Sequence, residues 1–135
     1  MSMVSVRAAL ETWLDAMTPA LDTEKENEEY VPIVDVPYQR TALLPAEPED
    51  LEMSCVKRRE IGLYQVSLCY PLHQGPGAAN ARAELIRARF KRGVSLSSGG
   101  VTVTMYGSPE VGPAQYEPDR YVLPVRVRWF SNIST

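Results

Sequence analysis

Apolar and polar positions alternate with period two along RYVLPVRVRWFSN, residues 120–132. Tyr121, Leu123, Val125, Val127 and Trp129 share one face, and Pro124, Arg126 and Arg128 share the other. The pattern predicts a strand with one face on a core and a second face ill suited to burial, on which Pro124 fits an exposed or edge position because it has no N–H to donate. A strand is also predicted over 59–71, REIGLYQVSLCYP. Tyr64, Val66, Leu68 and Tyr70 lie on one side of it; Ile61, Leu63, Gln65, Ser67 and Cys69 lie on the other, apolar at one end and polar at the other. Shorter strands are expected at 38–45 (YQRTALLP, closed by Pro45) and over 101–106 after the glycine-rich turn of SLSSGG. Twice the period becomes helical. Val6, Leu10, Trp13, Leu14 and Met17 predict an amphipathic helix over 4–17 with Trp13 as a core anchor, and Ala79, Ala83, Ile86 and Phe90 predict another over 78–92 closed by Gly93.

Periodicity is lost over 18–37, where DTEKENEEY sets five acids against one lysine, and over 108–119, SPEVGPAQYEPD. Both read as long solvated loops, mobile in an isolated subunit and ordered at a contact. The predicted order is α-β-β-α-β-β in one domain spanning 1–135, a length suited to one core. Helices must cover an apolar sheet face, so the expected class is α+β: a two-layer domain with a mixed or antiparallel sheet of about four main strands and two principal helices on one face.

Candidate chemistry adds little. His73 is the sole histidine and sits in the turn HQGPG, with no local serine or cysteine pattern marking a nucleophile. Cys55, Cys69 and His73 lack zinc-site spacing, and two cysteines without a secretion signal read as free thiols. GPG and SSGG lack the lysine and length of a P-loop. Most carboxylates occupy polar loops that offer nothing to raise a pKa. No catalytic, cofactor-binding or metal-binding residue is therefore assigned, no cofactor is expected, and an enzyme, such as a hydrolase, would need groups converging from distant segments. KRR at 57–59 lacks interleaved aromatics and the pI is about 5.2, so sequence-specific nucleic-acid binding is not expected. No apolar run approaches ~18 residues, so no membrane partner is expected either.

Charge changes the picture more. The net charge of −3 conceals −9 over residues 1–53, from twelve acids and three bases, and +6 over 54–135, from eleven bases and five acids. Two readings stay open: the halves neutralise each other within one fold, or they meet between copies. On the second reading the subunit-interface or lumen candidates are Arg82, Arg89, Arg126 and Arg128 against Glu26, Glu28 and Glu29. Arg82 and Arg89, seven residues apart, share a helix face. Helix chemistry alone also accounts for the bases near the end of the second helix.

VRAALETWLDAM, ENEEYVP, YQRTALLPAEP, REIGLYQVSLCYP before a glycine turn and helix, and DRYVLPVRVRWFSN together resemble the tail terminator proteins of long, flexible-tailed phages of the lambda type, over nearly the whole chain. The resemblance implies a non-enzymatic mixed α/β protomer assembling as a homo-hexameric ring, for which a single chain in dilute solution is no objection. The ring would sit on the end of the tail tube, stop its polymerisation and present a head-attachment surface. Its implied partners are further copies of itself, the major tail tube protein and a head completion or connector protein. Its implied location is the host bacterial cytoplasm during assembly and then the virion tail. The alternative role is a head-tail connector or head completion protein docking on the portal side. No site residue is carried over, because the family offers no catalytic motif to match.

Overall fold

The computed structural model describes residues 2–18, 21–33, 35–46, 49–50 and 57–134. Along them run α1 (Ser2–Asp15), β1 (Asp22–Glu24), β2 (Tyr38–Pro45), β3 (Glu49–Asp50), β4 (Lys57–Pro71), α2 (Gly77–Arg89), β5 (Ser95–Ser98), β6 (Val101–Met105), β7 (Glu110–Val111), β8 (Gln115–Glu117) and β9 (Arg120–Ser134). The frame is an antiparallel ribbon of β4 and β9, fifteen residues each, paired along their full length from Lys57↔Ser134 to Pro71↔Arg120. The sheet order is β1-β2-β4-β9-β6-β5, with β3 also pairing with β4, and β7 and β8 with β9. Among the described residues only β1 and β2 pair in parallel, so the sheet is mixed.

Register converts the alternation into a core. Tyr64↔Val127, Val66↔Val125 and Leu68↔Leu123 place six apolar side chains on one face, extended across β2 by Leu43 opposite Tyr64. Val6, Leu10 and Leu14 of α1 and Ala79, Ala83 and Ile86 of α2 pack in the same cluster, with Trp129 fully buried. Trp129 fits because Gly62 stands opposite it. A Cβ at Gly62 would lie 2.6 Å from the Leu44 carbonyl oxygen and 2.9 Å from Trp129 Cζ2. Trp13 joins the helices: its Nε1 donates to the Arg89 carbonyl at 2.8 Å, Arg89 Nε donates to the Trp13 carbonyl at 3.1 Å, and the guanidinium lies 3.5 Å from the indole centroid.

This architecture corrects the expected α+β sheet of about four main strands in the order α-β-β-α-β-β. The protein is mostly β, with nine strands in one sheet among the described residues. The extra strands β1, β3, β7 and β8 are two or three residues long, too short to show a period, and they form because β2, β4 and β9 leave rows of backbone groups to be paired. SLSS, expected within the glycine-rich turn, is β5. The stretch 18–37 thus contains β1, and 108–119 contains β7 and β8. Helix α2 stops at Arg89, and Gly93 (φ 93°) instead donates its N–H to Met105, handing the chain to the sheet.

Pro124 is also corrected: it is buried in an interior strand, not exposed or on an edge. Gly112 N donates to the Pro124 carbonyl at 2.9 Å, so the proline nitrogen faces the same side, where the chain passes from β7 to β8 and a missing N–H breaks no ladder. Gly112 permits that approach, since a Cβ there would meet Pro124 Cγ at 3.1 Å.

Candidate functional site: the outer face of the sheet

The face turned away from the helices divides into two ends. At the first, Tyr38, Cys69 and Val122 are buried together under Tyr30, whose ring lies 5.1 Å from that of Tyr38. Arg120, itself buried, reaches from β9 beneath a strap, residues 30–33 and 35–37, and donates to the carbonyls of Val36 (2.6 Å) and Ile33 (2.7 Å), with its guanidinium 5.1 Å from the Tyr38 ring. Val36 N closes a turn onto the Ile33 carbonyl at 3.2 Å, with Asp35 at φ 63°. The strap's backbone is therefore held inward while Val31, Ile33 and Val36 stay 76%, 58% and 36% exposed.

At the second end, Arg59, Ile61, Tyr106 and Phe130 line a groove of about 240 Å³. The Tyr106 and Phe130 rings are 6.0 Å apart, and the Arg59 guanidinium lies 5.1 Å from the Phe130 centroid. Exposed Leu44 pairs with Leu63, which pairs with Arg128, continuing the apolar surface across the strands. Between the two ends the face is polar. Arg126 Nε donates to Gln65 Oε1 at 3.2 Å, Arg128 donates to Glu110 at 3.2 Å, and Arg40 forms a two-armed pair with Glu117. That pairing holds the Glu117 carboxyl below its ordinary pKa.

The structure separates the seven candidate interface residues. Arg126 and Arg128 project from the outer face. Glu28 and Glu29 are exposed. Glu26 has an internal task, accepting from the Leu43 N–H at 2.6 Å and from Arg7 at 3.0 Å; those two donors, the backbone one first, lower its pKa. Its carboxylate plugs the edge of β2 just beyond the stretch that β1 covers. Arg82 is buried and Arg89 is stacked on Trp13, so the helix face they share is turned inward. The exposed apolar side chains of the strap were missed, although VPIVDVP is an apolar run inside an acidic loop. Ile61 and Leu63 were already visible as the apolar end of the second face of β4.

Among the described residues no group of three or more His, Cys, Asp or Glu side chains is placed to hold a metal ion. His73, at φ 64°, lines a groove of about 180 Å³ with Pro71, Gly75, Pro76, Tyr116 and Tyr121, and among the described residues that lining holds no acid, serine or cysteine. Cys69 is a buried free thiol whose pKa burial pushes up; Cys55 lies outside the described residues. No helix among the described residues is long and apolar enough to cross a membrane.

The outer face of the sheet thus carries arginines, aromatics and a backbone-pinned apolar strap. The chain belongs to the phage tail terminator protein family, whose model matches residues 5–129, and so to a family of structural proteins of phage tails. A solved structure that carries only a sequence identifier for a name has the same fold. It superposes with a TM-score of 0.81 at 24% identity, over 100% of this chain and 99% of that one. No curated protein matches the chain significantly.

Proposed function

We propose that the protein assembles as a ring, of six copies as the resemblance implies, on the end of a phage tail tube. There it stops tube polymerisation and offers the surface to which the head, through its completion or connector protein, attaches. The family match over 5–129 carries this reading. The outer sheet face supports it physically: Arg126 and Arg128 lie on that face, where a neighbouring subunit or the ring lumen would meet them, and Glu28 and Glu29 are exposed acids that a neighbour would offer them. The ring is built in the host bacterial cytoplasm and leaves in the virion tail. The test is to add purified protein to assembled tail tubes and locate it by electron microscopy. Binding at one tube end, together with overlong tails in a lysate lacking the protein, is the expected result. Binding only to tail-less heads, with tails of normal length in the defective lysate, would overturn it in favour of a head completion role.

A further inference from the structure

Two apolar features of the outer face lie at opposite ends of one strand. Arg120, which pins the strap, and Phe130, which lines the groove, are ten residues apart on β9, about 33 Å of extended chain at ~3.3 Å per residue. A strap held by Arg120 at one end cannot fill the groove at the other end of its own chain. The two are nevertheless matched. The strap presents Val31, Ile33 and Val36, bounded by Glu28, Glu29 and Asp35, and carries no basic residue. The groove presents Ile61, Tyr106 and Phe130, bounded by Arg59 with Arg128 nearby on the same face.

We infer that the strap of one copy, residues 30–33 and 35–37, docks in the Arg59–Ile61–Tyr106–Phe130 groove of the next, the apolar side chains seating against the two rings and the acids facing the arginines. The inference rests on the ring reading and deepens it by naming the contact. A patch at one end that fits a different patch at the other is a head-to-tail contact, which closes into a ring when the rotation per step allows. The strap arrives preformed, because both carbonyls held by Arg120 are already satisfied, so little ordering opposes docking.

Ile33→Asp in the strap and Tyr106→Asp in the groove alter exposed side chains, so each variant should keep the wild-type fold by circular dichroism. Sedimentation and mass photometry, free and on tube ends, then read assembly. Each variant alone is expected to associate at least roughly thirty-fold more weakly, the scale of an interface hot spot. An equimolar mixture is expected to give a two-chain species and stop there, since the intact strap of one variant fits the intact groove of the other. Ile33→Leu is expected to assemble as wild type. Rings formed normally by Ile33→Asp or Tyr106→Asp would overturn the docking and leave the ring reading standing. The same holds if Ile33→Asp forms rings but no longer binds tubes, which would assign the strap to the tube protein. A wild-type chain that stays single both in concentrated solution and on tube ends would overturn the two together.

Discussion

At the scale of single residues, Gly62 decides whether the largest core side chain fits. The Leu44 carbonyl oxygen that a Cβ would strike is backbone, and Trp129 is locked under the helices, so neither yields cheaply. Gly62→Ala is expected to cost about 1–3 kcal/mol in a urea melt, the usual range for overpacking. An unchanged midpoint would show that β2 shifts aside. Glu26 and Glu117 tie stability to pH. Both carboxyls are held below the ordinary carboxylate value, Glu26 chiefly by the Leu43 N–H and Glu117 by Arg40. Above that ordinary value both are ionised whether the chain is folded or not, and their contribution is complete. As pH falls, the unfolded chain takes up protons first, and the contribution is lost as pH drops through the lowered folded-state values. Both side chains are more than a third exposed, at 40% and 36%, so solvent screens the effect and it should be small. Melting temperature followed from neutral to acid pH should fall less steeply for Glu26→Gln than for wild type.

At the scale of elements, Arg120 and the strap behave as one unit. Arg120→Met removes two hydrogen bonds to carbonyls and leaves the methionine packed near Tyr38. Amide hydrogen exchange over the described residues of 30–37 should then accelerate while the amides of β4 and β9 keep their protection. Uniform loss of protection would mean that the strap is part of the global fold. The same elements show what could be read from sequence and why. The four long strand segments and both amphipathic stripes announce themselves because each repeats its period over several residues. Strands such as Glu110–Val111 hold no period, and only their pairing with β9 creates them. The position of Arg126 and Arg128 on the outer face was legible because charge on a strand's second face is local information. For Arg82 and Arg89, helical spacing says that two residues share a face, but not which way that face turns. The 76-residue separation of Trp13 and Arg89 hid the stack that turns it inward.

At the scale of the whole molecule, some charges of each half are spent inside the fold on pairs that leave the division between residues 1–53 and 54–135 standing. Arg7 pairs with Glu26, Lys25 with Asp15, and Arg40 with Glu117. Arg126 and Arg128 share Glu110, with Arg126 at 4.0 Å and Arg128 at 3.2 Å. These pairs are partly exposed and contribute only ~0.2–1 kcal/mol each, so the two arginines can be changed with little loss of subunit stability. Reversing both to glutamate should leave the melting temperature within a few degrees of wild type, yet weaken assembly, because three acids then crowd the surface that an acidic strap approaches. Raising salt from low to physiological strength should weaken wild-type assembly in the same sense, since exposed charges more than ~8–10 Å apart are screened. Glu26 is engaged with Leu43 and Arg7, so the compensating change belongs at Glu28 and Glu29. Adding Glu28→Lys and Glu29→Lys to the arginine reversal should restore part of the assembly seen by sedimentation. If assembly instead ignores both the reversal and salt, the apolar strap and groove set the contact alone, and Arg126 and Arg128 serve only the Glu110 and Gln65 pairings within their own chain.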